Sequence, residues 1–288
     1  MNDNGNGADA PVAVSPKRRR ASLPLIIVAA LFIIVPFLTW YGTWFGRNIS
    51  DEEIATYLAD EKNPRHIQHA LSRIEERIER GDPTVKKFYP QIAALTKSPT
   101  AEIRKTAAWV MGQDNKSEEF HQALLILLKD NEPLVRRNAA LQLVRFADAS
   151  GRPELRAMLQ PFEAKSPISG VVVSVLAQSS EISAGGLLVR IRDPANAVQE
   201  FRSPLDGSIG TVAVKEGETV GAGQTIVWLM PDRATINGAL QALGYVGASD
   251  DLPLVETFSQ GTASNDTDIK KQAALTAKAI SSRRQSDK

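Results

Sequence analysis

The sequence predicts a multidomain α plus β protein with a single N-terminal transmembrane helix, an α-solenoid and an inserted all-β unit. Three observations predict this fold class. A run without charged residues extends over 21–46, helical segments recur at an offset of 32 residues, and a β-rich stretch recurs at an offset of 37. The 288 residues suffice for an anchor and about two domains.

Composition excludes several kinds of site. The net charge is +1, so no overall field favours nucleic acid as a partner. The chain has no cysteine, which excludes disulfides, thiolate metal sites and a cysteine nucleophile.

The N-terminal region is predicted to be a basic, disordered segment over 1–20 followed by a transmembrane helix over 21–46. Basic residues fill 17–20, and Trp40, Tyr41 and Trp44 form an aromatic belt at the far end. We therefore predict a single-pass protein of the inner (plasma) membrane, in contact with the bilayer through 21–46. Its N-terminus is then cytoplasmic and its other domains periplasmic. The alternatives are a cleaved signal peptide, whose apolar region is shorter, and an inverted topology.

Helical repeats are predicted over 50–162. Ser50 and Glu53 have the spacing of a capping box at a helix start. Residues 103–108 match residues 135–140, and the apolar run 124–128 between them predicts a buried helix face. Paired helices at such a period indicate an α-solenoid.

Asp130 precedes Arg136 by six residues across a turn, which resembles the HEAT-repeat motif. The resemblance implies a structural ladder of hydrogen bonds that includes Asp130, Arg136 and Arg104, with Ser98 in the upstream Asp position. We assign Lys105 and Arg137 to an exposed face, a candidate surface for a protein partner. His66 and His69 share a helix turn without further ligands, so no metal site is predicted.

The β unit is predicted over 163–232. The motif Ser166-Pro-Ile-Ser-Gly recurs as Ser203-Pro-Leu-Asp-Gly, and further matches follow without a gap. Short β-branched strands at intervals of about ten residues predict a small sandwich or barrel.

These motifs resemble the biotinyl/lipoyl domain and the barrel-sandwich hybrid of HlyD-like membrane fusion proteins. The resemblance implies a carrier lysine at the hairpin joining the halves, but Asn196 occupies that position. No cofactor is therefore expected. The join is also too short for the helical arm of a fusion protein.

The HEAT-like pattern resumes over 233–260, where residues 239–241 repeat residues 140–142. We therefore place the β unit in the turn between two paired helices, the alternative being a linear order of domains. Residues 261–288 are predicted to be a disordered tail, allowing for a short helix around 269–280.

No catalytic pair, phosphate loop or carboxylate cluster is evident, so we predict neither an enzyme nor a binder of small molecules or nucleic acid. The leading hypothesis is a non-catalytic adaptor or scaffold of the cell envelope that binds a protein partner, in transport or secretion. Two alternatives are an accessory structural subunit of a large membrane enzyme or energy-converting complex, and a degenerate carrier modified at Lys165 or Lys215.

Overall fold

The structure is a computed structural model that describes residues 23–44 and 49–286. It divides into two units, Met1–Ile49 and Ser50–Lys288. The disordered segment predicted over 1–20 lies outside the described residues, as do the side chains of the predicted aromatic belt.

In the first unit, helix α1 covers Leu23–Trp44 and contains Pro36. Over the residues that the structure describes, no helix is long and apolar enough to cross a membrane. This finding contradicts the transmembrane helix predicted over 21–46. It also contradicts the predicted single-pass, inner-membrane location and removes the support for bilayer contact.

The second unit begins with a capped helix. The hydroxyl of Ser50 accepts a hydrogen bond from the backbone N–H of Glu53, and the Glu53 carboxylate accepts one from the backbone N–H of Ser50. This confirms the predicted capping box. The helices of this unit are α2 (Asp51–Leu58), α3 (Pro64–Glu79), α4 (Tyr89–Ala94), α5 (Ala101–Met111), α6 (Glu118–Leu127), α7 (Pro133–Leu143), α8 (Arg152–Ala157), α9 (Arg233–Val246), α10 (Leu252–Ser259) and α11 (Thr267–Ser286).

Within this unit the helices form consecutive pairs from α2 and α3 to α10 and α11. The second helices of neighbouring pairs also pack on one another, from α3 through α11. Four alanines of α5 and α7 are fully buried, namely Ala107, Ala108, Ala139 and Ala140. Small side chains at these positions allow close approach of the two helix axes. The repeat pattern in the sequence therefore corresponds to a stack of helix pairs.

The β unit lies in the chain between α8 and α9. Its strands are β1 (Phe162–Lys165), β2 (Gly170–Val175), β3 (Glu181–Ile182), β4 (Leu187–Arg192), β5 (Val198–Arg202), β6 (Gly207–Val212), β7 (Thr219–Val220) and β8 (Thr225–Met230). They form two antiparallel four-stranded sheets, with the orders β1-β8-β6-β3 and β5-β4-β2-β7. The sheets are not a closed barrel, so the barrel of the predicted fold class is wrong.

The internal duplication explains these strand orders. An offset of about 37 residues carries β1 to β5, β2 to β6, β3 to β7 and β4 to β8. The same offset converts one sheet order into the other, so each sheet contains strands from both halves. Apolar side chains from the two sheets form one core, including Val172, Ile191, Ile209 and Val227. Neither half can bury this core alone.

The repeated Ser-Pro motif has the same geometry in both halves. Ser166 and Ser203 are buried, and their hydroxyls donate to the carbonyls of Ile168 and Leu205 at 2.5 and 2.6 Å. The backbone carbonyl of each serine also accepts a hydrogen bond from a glycine N–H, that of Gly223 or Gly185, at 2.7 Å. Each serine therefore supplies the hydrogen bonds of a tight turn and links its own half of the β unit to the other half.

The helices on either side of the β unit share one hydrophobic core. Leu155 of α8, Leu240 of α9 and Val255 of α10 are fully buried in the same cluster. The first and last strands of the β unit pair with each other, Phe162 opposite Leu229. The chain therefore leaves and re-enters the helical stack at neighbouring points.

Helix α11 occupies most of the tail that the sequence analysis predicts to be disordered. Its buried residues, Ile269, Ala273, Thr276 and Ile280, follow helical spacing, and the Thr276 hydroxyl donates to the carbonyl of Leu240 at 2.8 Å. The predicted disorder is therefore wrong over Thr267–Ser286. A narrow stripe of buried side chains is enough to pack this helix against the helical stack. Polar composition elsewhere in the segment obscures the stripe.

We expect Ile280→Ala to lower the free energy of unfolding by about 2–4 kcal/mol, because it removes a fully buried side chain from the α9–α11 interface. The matched control is Leu275→Ala on the same helix, since that side chain is 62% exposed. Urea unfolding followed by circular dichroism measures both. Equal losses for the two variants would contradict the packing of α11.

Candidate protein-binding site

Arg104 links two neighbouring helix pairs. Its Nε and Nη2 atoms donate to the two carboxylate oxygens of Asp130 at 2.6 and 2.8 Å. Its Nη1 donates to the backbone carbonyls of Ser98 and Pro99 in the turn before α5. A two-pronged arginine–carboxylate pair fixes both distance and orientation. Arg104 therefore fixes the α4–α5 turn relative to the α6–α7 turn.

Arg136 repeats half of this arrangement. Its Nη1 donates to the backbone carbonyls of Asp130 and Asn131, at the same separations in sequence as in the Arg104 turn. Its Nε donates to the carboxylate of Glu154 on α8 at 3.1 Å. The side chains of Asp130 and Arg136 thus do not pair directly. Each arginine binds the backbone of its own turn and a carboxylate of the following pair.

The environment of Asp130 favours its charged form. Burial raises the pKa of this carboxyl, but the hydrogen bonds from Arg104 and from the backbone N–H of Glu132 outweigh burial, and the pKa is lowered. The side chain is only 8% exposed. The pair is therefore shielded from solvent.

Lys105 and Arg137, the candidate partner surface, do not share an exposed face. Lys105 is partly exposed and pairs with Glu102 at 2.7 Å. Arg137 is only 6% exposed, and its Nε has no hydrogen-bond partner within the described part of the chain. Burial lowers the pKa of Arg137, while the carboxylates of Glu154 and Asp232 oppose that shift. The assignment of Arg137 to an exposed face is wrong, because the fourth helix pair covers it.

The hairpin between β4 and β5 carries Asn196 where a carrier lysine would lie. Asn196 has a left-handed backbone with φ of 67°, which asparagine tolerates well. Its backbone N–H donates to the carbonyl of Asp193 at 2.9 Å. The tip is thus a tight polar turn without an amine. Lys165 lies in β1, next to Glu163 at 3.1 Å.

Two histidines, His66 and His121, take part in hydrogen bonds between side chains. His66 Nδ1 lies 2.8 Å from a carboxylate oxygen of Asp60, and His121 Nε2 lies 2.6 Å from one of Asp148. Over 23–44 and 49–286, no group of three or more His, Cys, Asp or Glu side chains is arranged to hold a metal ion.

A cleft of about 710 Å³ opens beside the Arg104–Asp130 pair. Its walls are the end of the α4 segment, the last turn of α6 and the α6–α7 turn. The lining residues are Thr96, Lys97, Ser98, Arg104, Gln122, Leu125, Ile126, Leu127, Lys129, Asp130 and Asn131. The volume falls in the range of ligand-binding clefts. We call it the repeat cleft.

Ile126 provides an apolar surface in the repeat cleft. It is 60% exposed, whereas its neighbours Leu124 and Leu127 are buried. The run 124–128 is predicted to form one buried helix face, but five consecutive residues extend around more than a full turn. The unbroken run of five apolar residues therefore indicates that at least one of them is exposed.

A second cavity of about 740 Å³ lies where the β unit meets α9. Its lining includes Glu181 and Ser208 of the β unit, and Asp232, Arg233 and Asn237 at the start of α9. Most of the lining side chains are polar or charged, and the cavity is open to solvent. No sequence pattern indicates this cavity, because it depends on how the β unit packs on the helices.

Comparison with known proteins identifies one part of the chain. Residues 90–164 match the family model of HEAT repeats. The match supports a HEAT-repeat part within the helical stack. No curated protein matches the chain.

Among solved structures, a single-chain, multi-domain long-chain acyl-CoA carboxylase is similar at 18% sequence identity and a TM-score of 0.24. The likeness covers 49% of this chain and only 17% of that one. At this TM-score, the likeness supports no argument about function.

We expect Asp130→Asn to lower the free energy of unfolding by about 3 kcal/mol at pH 7, because it breaks a shielded ion pair. The control is Glu200→Gln, which removes the exposed partner of Arg190, both side chains being more than 40% exposed. That loss should stay below about 1 kcal/mol.

The loss at Asp130 should also depend on pH. A lowered pKa in the folded state means that the carboxylate stabilises the fold above its unfolded pKa of about 3.9. That contribution is lost as the pH falls through the lower folded pKa. The difference between wild type and Asp130→Asn should therefore be constant near neutrality and shrink below about pH 4. A constant difference down to pH 2 would contradict the pairing.

Proposed function

We propose that this protein is a non-catalytic scaffold that binds a protein partner along the edge of its HEAT-like solenoid. The observation that carries the proposal is the repeat cleft, where Ile126 stays exposed beside a rigid arginine–carboxylate pair. HEAT repeats present extended surfaces suited to protein partners. A partner would gain buried apolar area at Ile126 and a fixed polar frame around it.

The β unit contributes a second surface to this proposal. Trp228 and Met230 of β8 are 37% and 40% exposed, next to each other on the outer face of their sheet. A Cβ on Gly210 would lie only 2.8 Å from Met230 Cγ, so the methionine side chain covers the glycine. Aromatic and methionine side chains are enriched in protein interfaces.

We further propose that the β unit is a biotinyl/lipoyl-like module of the HlyD-like type, retained for binding and not for carrying a group. The equivalent serine turns in both halves support this likeness. The asparagine at the hairpin tip supports the loss of the carrier role.

Site-specific photo-crosslinking in the native cells tests the scaffold proposal. A benzophenone amino acid at Ile126 and another at Trp228 should each give an adduct with the same partner. The matched control is the same amino acid at Leu275, a 62% exposed side chain on α11, and it should give none.

Two results would overturn the scaffold proposal. One is an adduct pattern at Leu275 identical to that at Ile126. The other is the absence of any adduct at Ile126 and Trp228. A partner recovered in fixed stoichiometry with an enzyme complex would identify the scaffold as an accessory subunit.

A further inference from the structure

Lys97 and Lys129 occupy equivalent positions in successive repeats. They are separated by 32 residues, the repeat offset, and both line the repeat cleft. Each lies at the end of a helical segment, Lys97 closing the 3-10 helix after α4 and Lys129 following α6. Repeat-equivalent residues on neighbouring helix pairs are about 10 Å apart, the usual distance between packed helices.

The ammonium groups of both lysines remain available to a ligand. Both residues are exposed, and neither forms an ion pair within residues 49–286. Of the charged residues that line the cleft, Lys97, Arg104 and Lys129 are cationic and Asp130 is anionic, so the lining carries 3 − 1 = +2 charges. Arg104 and Asp130 neutralise each other. The excess charge therefore lies on the two lysines.

A cation after a helix C-terminus is also favoured by the helix dipole. This effect accounts for lysine at these positions, but it does not neutralise the exposed ammonium groups. Ile126 lies in the same cleft and adds an exposed apolar side chain. Two cations and an apolar contact together fit an acidic, partly apolar peptide.

We propose that the repeat cleft binds an extended acidic segment of the partner protein, with carboxylates at positions i and i+3 and an apolar residue beside them. This inference rests on the proposed scaffold function. A polyproline II segment rises about 3.1 Å per residue with three residues per turn. Side chains at i and i+3 then lie on one side, about 9 Å apart, which is close to the usual distance of about 10 Å between packed neighbouring helices.

Fluorescence anisotropy with a labelled peptide tests the proposal on the full-length protein. The probe contains the sequence Glu-Leu-Pro-Glu-Leu-Pro, which sets the carboxylates at i and i+3. One comparison probe has lysine in place of both glutamates. Another has the same composition in the order Glu-Glu-Leu-Leu-Pro-Pro.

The double variant Lys97→Gln with Lys129→Gln should weaken binding of the acidic probe at least tenfold. Ile126→Ser should weaken it several-fold. The matched control is Lys86→Gln with Lys116→Gln, which removes two exposed lysines outside the cleft and should leave the affinity unchanged. Binding should weaken as salt rises from 50 to 500 mM. Thermal unfolding of each variant checks that the fold is retained.

Several results would overturn the inference. They are equal losses in the cleft and control variants, tight binding of the lysine probe, equal binding of the reordered probe, and no binding of the acidic probe. Failure of this inference differs from failure of the scaffold proposal. If the crosslinks at Ile126 and Trp228 persist while the acidic probe fails, the scaffold proposal stands and the partner segment is not acidic.

Discussion

The buried carboxylate of Asp251 holds together the parts of the helical stack that the β unit separates in sequence. It is fully buried, and it accepts hydrogen bonds from Arg152 Nε at 2.9 Å, from Arg156 Nη1 at 3.2 Å and from the backbone N–H of Ala248 at 2.8 Å. Satisfying a buried charge in this way requires all of its partners to be in place. The arginines precede the β unit and the aspartate follows it, so the interaction can form only when α8 and the α9–α10 connection are adjacent. The shared core of Leu155 and Leu240 has the same requirement.

This constraint fixes both ends of the β unit to one rigid support. The pairing of Phe162 with Leu229 brings those ends together, and the inter-half turns at Ser166 and Ser203 close the unit on itself. A folded module can thus occupy a position where the other helix pairs have short turns. The repeat cleft is formed by two of those short turns. The hydrogen bonds of Arg104 to Asp130 thus shape the repeat cleft. Those of Arg152 and Arg156 to Asp251 support the insertion of the β unit.

The sequence predicts those features that depend on repetition. Offsets of 32 and 37 residues identified the helix pairs and the duplicated sheets, because residues at equivalent repeat positions pack in equivalent environments. Features that depend on a particular neighbour were missed. Arg137 and Lys105 are equivalent in the repeat, yet only Arg137 is covered, since the fourth helix pair lies over it. Likewise, Lys97 and Lys129 follow the repeat offset, but only the structure shows that both face one cleft with Ile126.

Replacing residues 162–231 with a short glycine-serine linker tests most directly whether the helices before and after the β unit form one stack. Hydrogen exchange at increasing urea would follow α5 and α9 separately in the shortened protein. We expect both helices to lose protection together in one cooperative transition, because the Asp251 interaction and the α8–α9 core remain. Loss of protection in α9 at a much lower urea concentration than in α5 would contradict it.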